Sequence, residues 1–270
     1  MKLFTLDSVC KSFAAKTGNP TRVLNDVSFD VATGETLGLV GESGSGKSTI
    51  AKCMLKLLRP DSGSVVFDGI DVPNARGAEL SRFRREVQLV FQDPYGSLNP
   101  RMTAGELIAE GLLVHGLEPN GAARRRQAQH LMGLVGLDPD NIDRYPNSFS
   151  GGQRQRIAIA RALACRPRLL VCDEPVAALD VSVQAQVINL LQDMRAEFDL
   201  TVVFIAHDLA VVRHLCQRII VLHRGEIVEQ GSREEIFGNP RMPYTQSLLA
   251  AVPIPDPVLA QRRRTAVQEA

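Results

Sequence analysis

At 270 residues with a formal net charge of +1, the chain is long enough to bury a substantial core and carries no bulk field of the kind that marks a nucleic-acid binder. No segment reaches the ~18 apolar residues of a membrane span, so any membrane association is expected to come through a partner. Cys10, Cys53, Cys165, Cys172 and Cys216 show no paired spacing and read as reduced thiols used as small hydrophobes, not as disulfides or metal ligands.

Residues 1 to about 90 alternate short strands with turns. Arg22 to Val31, Glu35 to Val40, and Ser64 to Phe67 closed by Asp68-Gly69 suggest an antiparallel β layer beside a parallel core. The apolar run Thr36-Leu37-Gly38-Leu39-Val40 delivers the chain into Gly41-Glu42-Ser43-Gly44-Ser45-Gly46-Lys47-Ser48-Thr49, and a helix through Leu55 follows. The glycines let successive backbone N–H groups curl around phosphates without Cβ clashes, and the helix N-terminus adds partial positive charge. In this loop Lys47 is expected on the β- and γ-phosphates and the Ser48 hydroxyl on Mg²⁺. A glycine turn that merely joins strand to helix would not place Lys-Ser in this register.

Next comes Leu89-Val90-Phe91-Gln92-Asp93-Pro94-Tyr95-Gly96-Ser97-Leu98-Asn99-Pro100-Arg101-Met102, a stretch that Pro94, Gly96, Asn99 and Pro100 keep irregular. Tyr95 and Leu98 read either as apolar contacts for a partner or as local packing. From about 94 to 160 the pattern turns helical and arginine-rich (Arg124-Arg125-Arg126), a lobe inserted into the core. Phe149-Ser150-Gly151-Gly152-Gln153 then opens a helix with an apolar stripe and spaced arginines, Arg154 to Ala164. Such a glycine pair is a second candidate anion site with Ser150 supplying a hydroxyl, although alone Ser-Gly-Gly-Gln is also what a linker looks like.

After Pro167, Leu169-Leu170-Val171-Cys172-Asp173-Glu174 is an apolar strand ending in two acids. Asp173 suits an outer-shell place on Mg²⁺ and Glu174 a general base or water-orienting role; two acids capping the next helix are the plainer alternative. A helix from Val181 to Phe198 and a strand from Thr201 to Ala206 continue the βαβ order. His207 stands at the strand end, where ligands collect in open α/β sheets, whereas His115, His130, His214 and His223 read as surface or helix-face residues. Arg218 to Leu222 and Glu226 to Glu229 form a hairpin turning at Arg224-Gly225. Residues 258–270, with Arg262-Arg263-Arg264, are expected to be a frayed tail that could touch lipid headgroups.

From about residue 3 to about 257 the order of these motifs resembles the nucleotide-binding subunit of ATP-binding cassette transporters. The resemblance implies an α/β fold: a P-loop NTPase with a mixed RecA-like core sheet, an N-terminal antiparallel β layer and a helical subdomain inserted at about 94–160, all within one ATPase domain of residues 1–257. It implies ATP and Mg²⁺ as ligands. Gln92 matches the glutamine that contacts Mg²⁺ and the attacking water, and Ala178-Leu179-Asp180 matches the loop that crosses a dimer interface. His207 matches the switch histidine that holds the γ-phosphate, and Phe13 the aromatic residue that stacks on adenine. The implied partners are integral membrane permease subunits, a second cassette in a head-to-tail pair and, indirectly, an extracytoplasmic solute-binding protein. The implied location is the cytoplasmic face of the membrane, and no nucleic acid is expected.

The run from Phe91 to Met102, and Pro243 to Pro253 near the C-terminus, are similar to the dipeptide, oligopeptide and nickel importer branch. Phe149 stands where Leu is commonest in that family and Ala177 where Ser is usual, which removes a hydroxyl from the interface loop. No cysteine follows Cys216, so no iron–sulfur cluster is expected. Two other functions remain open at this point. A soluble cassette ATPase acting on DNA or ribosomes would usually carry a coiled-coil insertion or a second cassette. A phosphate-loop kinase would leave Ser150-Gly151-Gly152-Gln153 and His207 without a role.

Overall fold

A computed structural model describes residues 1–14, 20–93 and 96–251. Its centre is a six-stranded sheet in the order β10-β9-β3-β8-β7-β6. The strands are β3 (Thr36–Val40), β6 (Val87–Val90), β7 (Leu169–Asp173), β8 (Thr201–Ala206), β9 (Arg218–His223) and β10 (Glu226–Ser232). Neighbours from β6 to β9 run parallel, and β10 turns back antiparallel on β9. The inner strands β3, β7, β8 and β9 are almost continuously apolar because both faces are covered, whereas the edge strand β10 is largely polar.

The two-residue period of each strand divides its side chains between two cores. Leu37, Leu39, Leu169, Val171, Val203, Ile205, Ile220 and Leu222 face one core, which α1 (Lys47–Met54) and α2 (Gly77–Glu86) also enter. Leu170, Cys172, Val202, Phe204, Ile219 and Val221 face the other, shared with α5 (Gly151–Ala164), α6 (Val181–Phe198) and α7 (Leu209–Leu215).

The first core is roofed by a second sheet, β2-β1-β4-β5, built from β1 (Lys2–Phe13), β2 (Thr21–Ala32), β4 (Ser62–Phe67) and β5 (Ile70–Asp71), all antiparallel. The expected β layer is therefore present, with β1 as a long central member. Asp26 adopts a left-handed φ of 54° in β2, which breaks the alternation between Leu24 and Val27. The helix α2 was not expected from the sequence: its apolar positions, Leu80 and Phe83, are too few to stand out from the surrounding charge.

The inserted lobe packs α3 (Ala104–Val114), α4 (Gly121–Leu134) and the start of α5 around Ile108, Leu131 and Ile157. Thr103 and Glu106 close a reciprocal cap on α3, worth about 1 kcal/mol. Arg125, from the arginine run, grips Asp143 with two bonds of 2.6 and 2.7 Å and so ties α4 to the turn at 139–143. Leu98 is 2% exposed within this lobe, so the reading of it as a partner-facing contact is corrected: it is core. Arg161 on α5 holds the same stretch by donating to the Ser97 carbonyl at 2.8 Å. Tyr95, the tail at 258–270 and Val252-Pro253 lie outside the described residues.

Candidate functional site

The strand β3 ends at Val40, and three left-handed glycines then curl the chain back toward its own axis: Gly41 (φ 153°), Gly44 (φ 79°) and Gly46 (φ 110°). A Cβ on Gly41 would stand 2.1 Å from the Leu222 carbonyl oxygen, so only glycine fits the close approach of this loop to β9. The helix α1 starts at Lys47, two residues before the sequence pattern placed it, with Gly46 as its N-cap. Lys47 is 4% exposed, and its ammonium donates to the carbonyls of Gly41 (2.7 Å) and Glu42 (2.8 Å). Burial holds its pKa below the ordinary lysine value, against the opposing pull of Glu174, Asp173 and Glu42.

Facing the loop, the end of β7 supplies both acids. The Ser48 hydroxyl donates to Asp173 Oδ1 at 3.2 Å, uniting two of the three residues expected at a metal ion. Burial pushes the Asp173 carboxyl up, Glu174 adds to this, and the Ser48 bond pulls the other way. Glu174 holds a left-handed φ of 49°, unusual for a side chain with a Cβ and a cost of roughly 1–3 kcal/mol, while its N–H donates to the Ile205 carbonyl at 3.0 Å. One oxygen of Glu174, Oε2, receives Gln92 Nε2 at 3.2 Å and His207 Nδ1 at 3.1 Å. A carboxylate only accepts, so Nδ1 carries the proton in this arrangement.

A cleft of about 250 Å³ opens between Ser43, Gly44, Lys47, Ser48 and Thr49 on one side and Gln92, Glu174 and Val23 on the other. Glycine curl, buried ammonium and the Ser48–Asp173 oxygen pair form a donor set suited to a phosphate chain and a hard divalent cation. Phe13 does not line this cleft; it stands 42% exposed at the open end of the β1–β2 ladder, with Lys11 Nζ 5.9 Å from its ring centroid. At this exposure Phe13 is not a core residue.

The second glycine motif sits elsewhere. Ser150 caps α5: its Oγ accepts from Gln153 N–H at 3.4 Å, and Gln153 Oε1 accepts from Ser150 N–H at 2.9 Å. The helix begins at Gly151, three residues earlier than Arg154. A Cβ on Gly152 would meet Val183 Cγ1 at 2.4 Å, so α5 and α6 start in close contact. Ser150 to Gln153 are not among the residues lining the cleft. Asp180 is exposed at the N-cap of α6, and Ala177 lines a small adjoining pocket with Glu174 and His207.

Comparison with known proteins bears directly on this arrangement. The family described as "ABC transporter" matches residues 24–177, and "Oligopeptide/dipeptide transporter, C-terminal region" matches residues 228–270. The chain is 50% identical to "Oligopeptide transport ATP-binding protein OppF" of Streptococcus mutans, over 97% of this chain and 85% of that one. The chain belongs to the ABC transporter family. Among its curated relatives is also "Dipeptide transport ATP-binding protein DppF" of Lactococcus lactis subsp. cremoris, 50% identical over 91% of this cassette and 79% of its own length. Of solved structures, the ATP-binding cassette MJ0796, dimeric and bound to ADP and Pi, superposes with a TM-score of 0.77 at 33% identity, covering 85% of this cassette and 98% of that chain. Clostridium perfringens cbiO1, part of the transporter complex cbiONQ, gives 0.76 at 25% identity over 88% and 91%.

The cassette brings together Lys47, Ser48, Asp173, Glu174, Gln92 and His207 from four separate parts of the sequence, as the motif order implied. The sequence reading missed three residues around the loop. Val23 on β2 lines the cleft, and nothing in the local pattern signals that. Gly225 donates its N–H to the Ser45 carbonyl at 2.9 Å, and the Tyr244 hydroxyl accepts the Glu42 N–H at 3.2 Å. His223, read as a surface or helix-face residue, instead ends β9 and stacks on Tyr244. Cys10 also departs from the apolar reading: it is half-buried, and its sulfur accepts from Arg22 at 2.9 Å and Asp26 N–H at 3.3 Å.

Proposed function

We propose that this cassette is the ATP-hydrolysing subunit of a peptide importer, working as one half of a head-to-tail cassette pair beneath integral membrane permease subunits. The observation that carries the catalytic reading is the shared oxygen: Gln92 and His207 both reach Glu174 Oε2, beside the Lys47 loop. Glu174 takes a proton from an attacking water that Gln92 orients. His207, released from Glu174 when nucleotide arrives, holds the γ-phosphate. Lys47 turns from the carbonyls of Gly41 and Glu42 to the β- and γ-phosphates, and the N–H groups from Ser43 to Thr49 cradle the phosphate chain. Ser48 and Gln92 would hold Mg²⁺, with Asp173 joining through water; the ion would supply charge neutralisation on the phosphates. Phe13 stacks on the adenine.

The placement of Ser150-Gly151-Gly152-Gln153 away from the chain's own cleft supports its use on the nucleotide of the opposite cassette, with Asp180 crossing the same interface. Residues 1–257 are then one ATPase domain carrying a helical subdomain at about 94–160. Among the described residues no helix is long and apolar enough to cross a membrane, so association with the inner face of the plasma membrane would run through the permease. The names of the relatives at 50% identity support peptides as cargo, delivered by an extracytoplasmic binding protein.

The test is isolation of the tagged cassette from membranes, with uptake of a labelled tripeptide by cells. Integral subunits in the eluate and loss of uptake on deletion are expected. A cassette that brings down ribosomes or DNA instead, with peptide uptake intact, overturns the assignment in favour of a soluble ATPase.

A further inference from the structure

The helix α8 (Pro243–Ala250) closes on the phosphate loop from outside the cleft. Its start is fixed by Glu229 on β10, whose carboxylate accepts the N–H groups of Arg241 (2.8 Å) and Met242 (3.2 Å). Burial opposes the Glu229 charge, yet the Thr245 side chain and those two N–H donors together keep its carboxyl below the ordinary range. One residue into the helix, the Tyr244 ring lies on the His223 ring, centroids 3.9 Å apart and planes 18° from parallel. That stack aims the phenol at the loop, where its oxygen accepts the Glu42 N–H at 3.2 Å.

The Glu42 N–H belongs to the same peptide unit as the Gly41 carbonyl. In a planar trans peptide the two groups point in opposite directions, so gripping one orients the other. The Gly41 carbonyl is the oxygen that accepts from Lys47 Nζ at 2.7 Å. Tyr244 thus holds the outer edge of a plane whose inner edge holds the lysine. The glycine at 41 gives this plane no steric stop of its own, and Gly225 adds only a grip further along, on the Ser45 carbonyl.

We propose that Tyr244 is a positioning residue for triphosphate binding, through which the C-terminal region braces the phosphate loop. The proposal rests on the reading of this cleft as the ATP site. Tyr244 touches no nucleotide; it sets the carbonyl against which Lys47 is stored and from which it swings to the phosphates. The brace explains why an element far along the chain reaches back to the loop at residue 42 instead of ending at β10. The ring alone would serve packing, so the hydroxyl is the discriminating group.

Tyr244→Phe in the full chain keeps the stack on His223 and removes only that acceptor. Four quantities are read: ATP affinity, KM, kcat, and hydrogen exchange of the Glu42 amide without nucleotide. The loss of one neutral hydrogen bond predicts a KM raised about 3- to 10-fold, with kcat within about two-fold. Glu42 exchange accelerates, and the thermal midpoint stays near that of the wild type. Wild-type KM together with wild-type Glu42 exchange would overturn the proposal. A fall in kcat that tracks a lowered thermal midpoint would also overturn it, by making Tyr244 a packing residue. Lys47→Ala, run alongside, separates the two readings: unchanged ATP affinity there sinks the site assignment, while Glu42 exchange in the Phe variant still judges the brace.

Discussion

Glu174→Gln isolates the chemistry from the architecture. The carboxylate accepts from Gln92 and His207 through a single oxygen, Oε2, so a glutamine amide turned with its oxygen at that position keeps both partners. The backbone at 174 is untouched: its left-handed φ and its N–H bond to Ile205 do not depend on the side-chain terminus. The folded state is thus expected to lose no more than about 1 kcal/mol, the scale of one neutral hydrogen bond. Proton abstraction is another matter, because an amide cannot take the proton from water. Removing a general base costs on the order of 10²–10⁴ in rate, or about 2.7–5.5 kcal/mol of barrier. Steady-state phosphate release should fall by that factor while ATP affinity stays within about two-fold, and ATP-bound dimers should accumulate on size exclusion. Turnover within about ten-fold of the wild type would refute the assignment, and His207 would become the next candidate for the base.

Lys47→Ala should weaken ATP binding to the dilute monomer by about 1.5–3 kcal/mol, the worth of a charge-assisted contact, whereas Ser150→Arg should spare monomer binding and abolish ATP-driven dimerisation. Equal loss of affinity in both variants would place the Ser150 motif on its own chain's nucleotide. Leu98→Ala should cost about 2–5 kcal/mol in denaturant unfolding, since it empties a buried position in the lobe; a wild-type midpoint would restore its reading as a partner contact. Asp173→Asn should raise the stability of the nucleotide-free cassette at neutral pH. Burial raises the Asp173 pKa above 3.8, so its favourable contribution is present below that value and lost as pH rises through the raised one. The variant should flatten that acid-range slope, and an unchanged slope in urea titrations from pH 3.5 upward would refute the argument.

The residues proposed for catalysis were legible because each lies near a strand end or helix start whose pattern is local. An apolar strand followed by Gly41-x4-Gly46-Lys47 fixes where the lysine must point, and the strand Leu169–Cys172 fixes the acids beside it. The parallel order of β7, β8, β3 and β9 then brings Glu174 and His207 to one edge of the sheet without any further information. What stayed illegible depends on contacts between distant elements. Leu98 is a leucine in a turn-rich stretch, and sequence alone gives an exposed leucine and a buried one the same letter; the contact that decides it is the fold of α5, whose Arg161 draws the stretch inward. Helix α2 failed for the opposite reason, since only Leu80 and Phe83 face the core from a segment otherwise dominated by Arg and Glu. In the sequence Tyr244 is only one member of a run resembling relatives, and its hydrogen bond spans 202 positions.

The two perturbed charges of the cleft share one logic. Burial makes the Lys47 ammonium easier to deprotonate and the Asp173 carboxylate harder to ionise, so without nucleotide each group carries a desolvation cost. Neither cost is removed by pairing the two with each other: Lys47 is spent on the carbonyls of Gly41 and Glu42, and Asp173 on the Ser48 hydroxyl. These neutral partners satisfy geometry, and the attraction between Lys47 and the neighbouring acids only partly offsets burial. A ligand that places anionic phosphate at Lys47 and a divalent cation at Ser48 and Asp173 relieves both at once, whereas phosphate alone relieves only the first. On the reading of this cleft as a nucleotide site, a nucleotide accompanied by a divalent cation is therefore expected to recover more free energy there than the nucleotide alone.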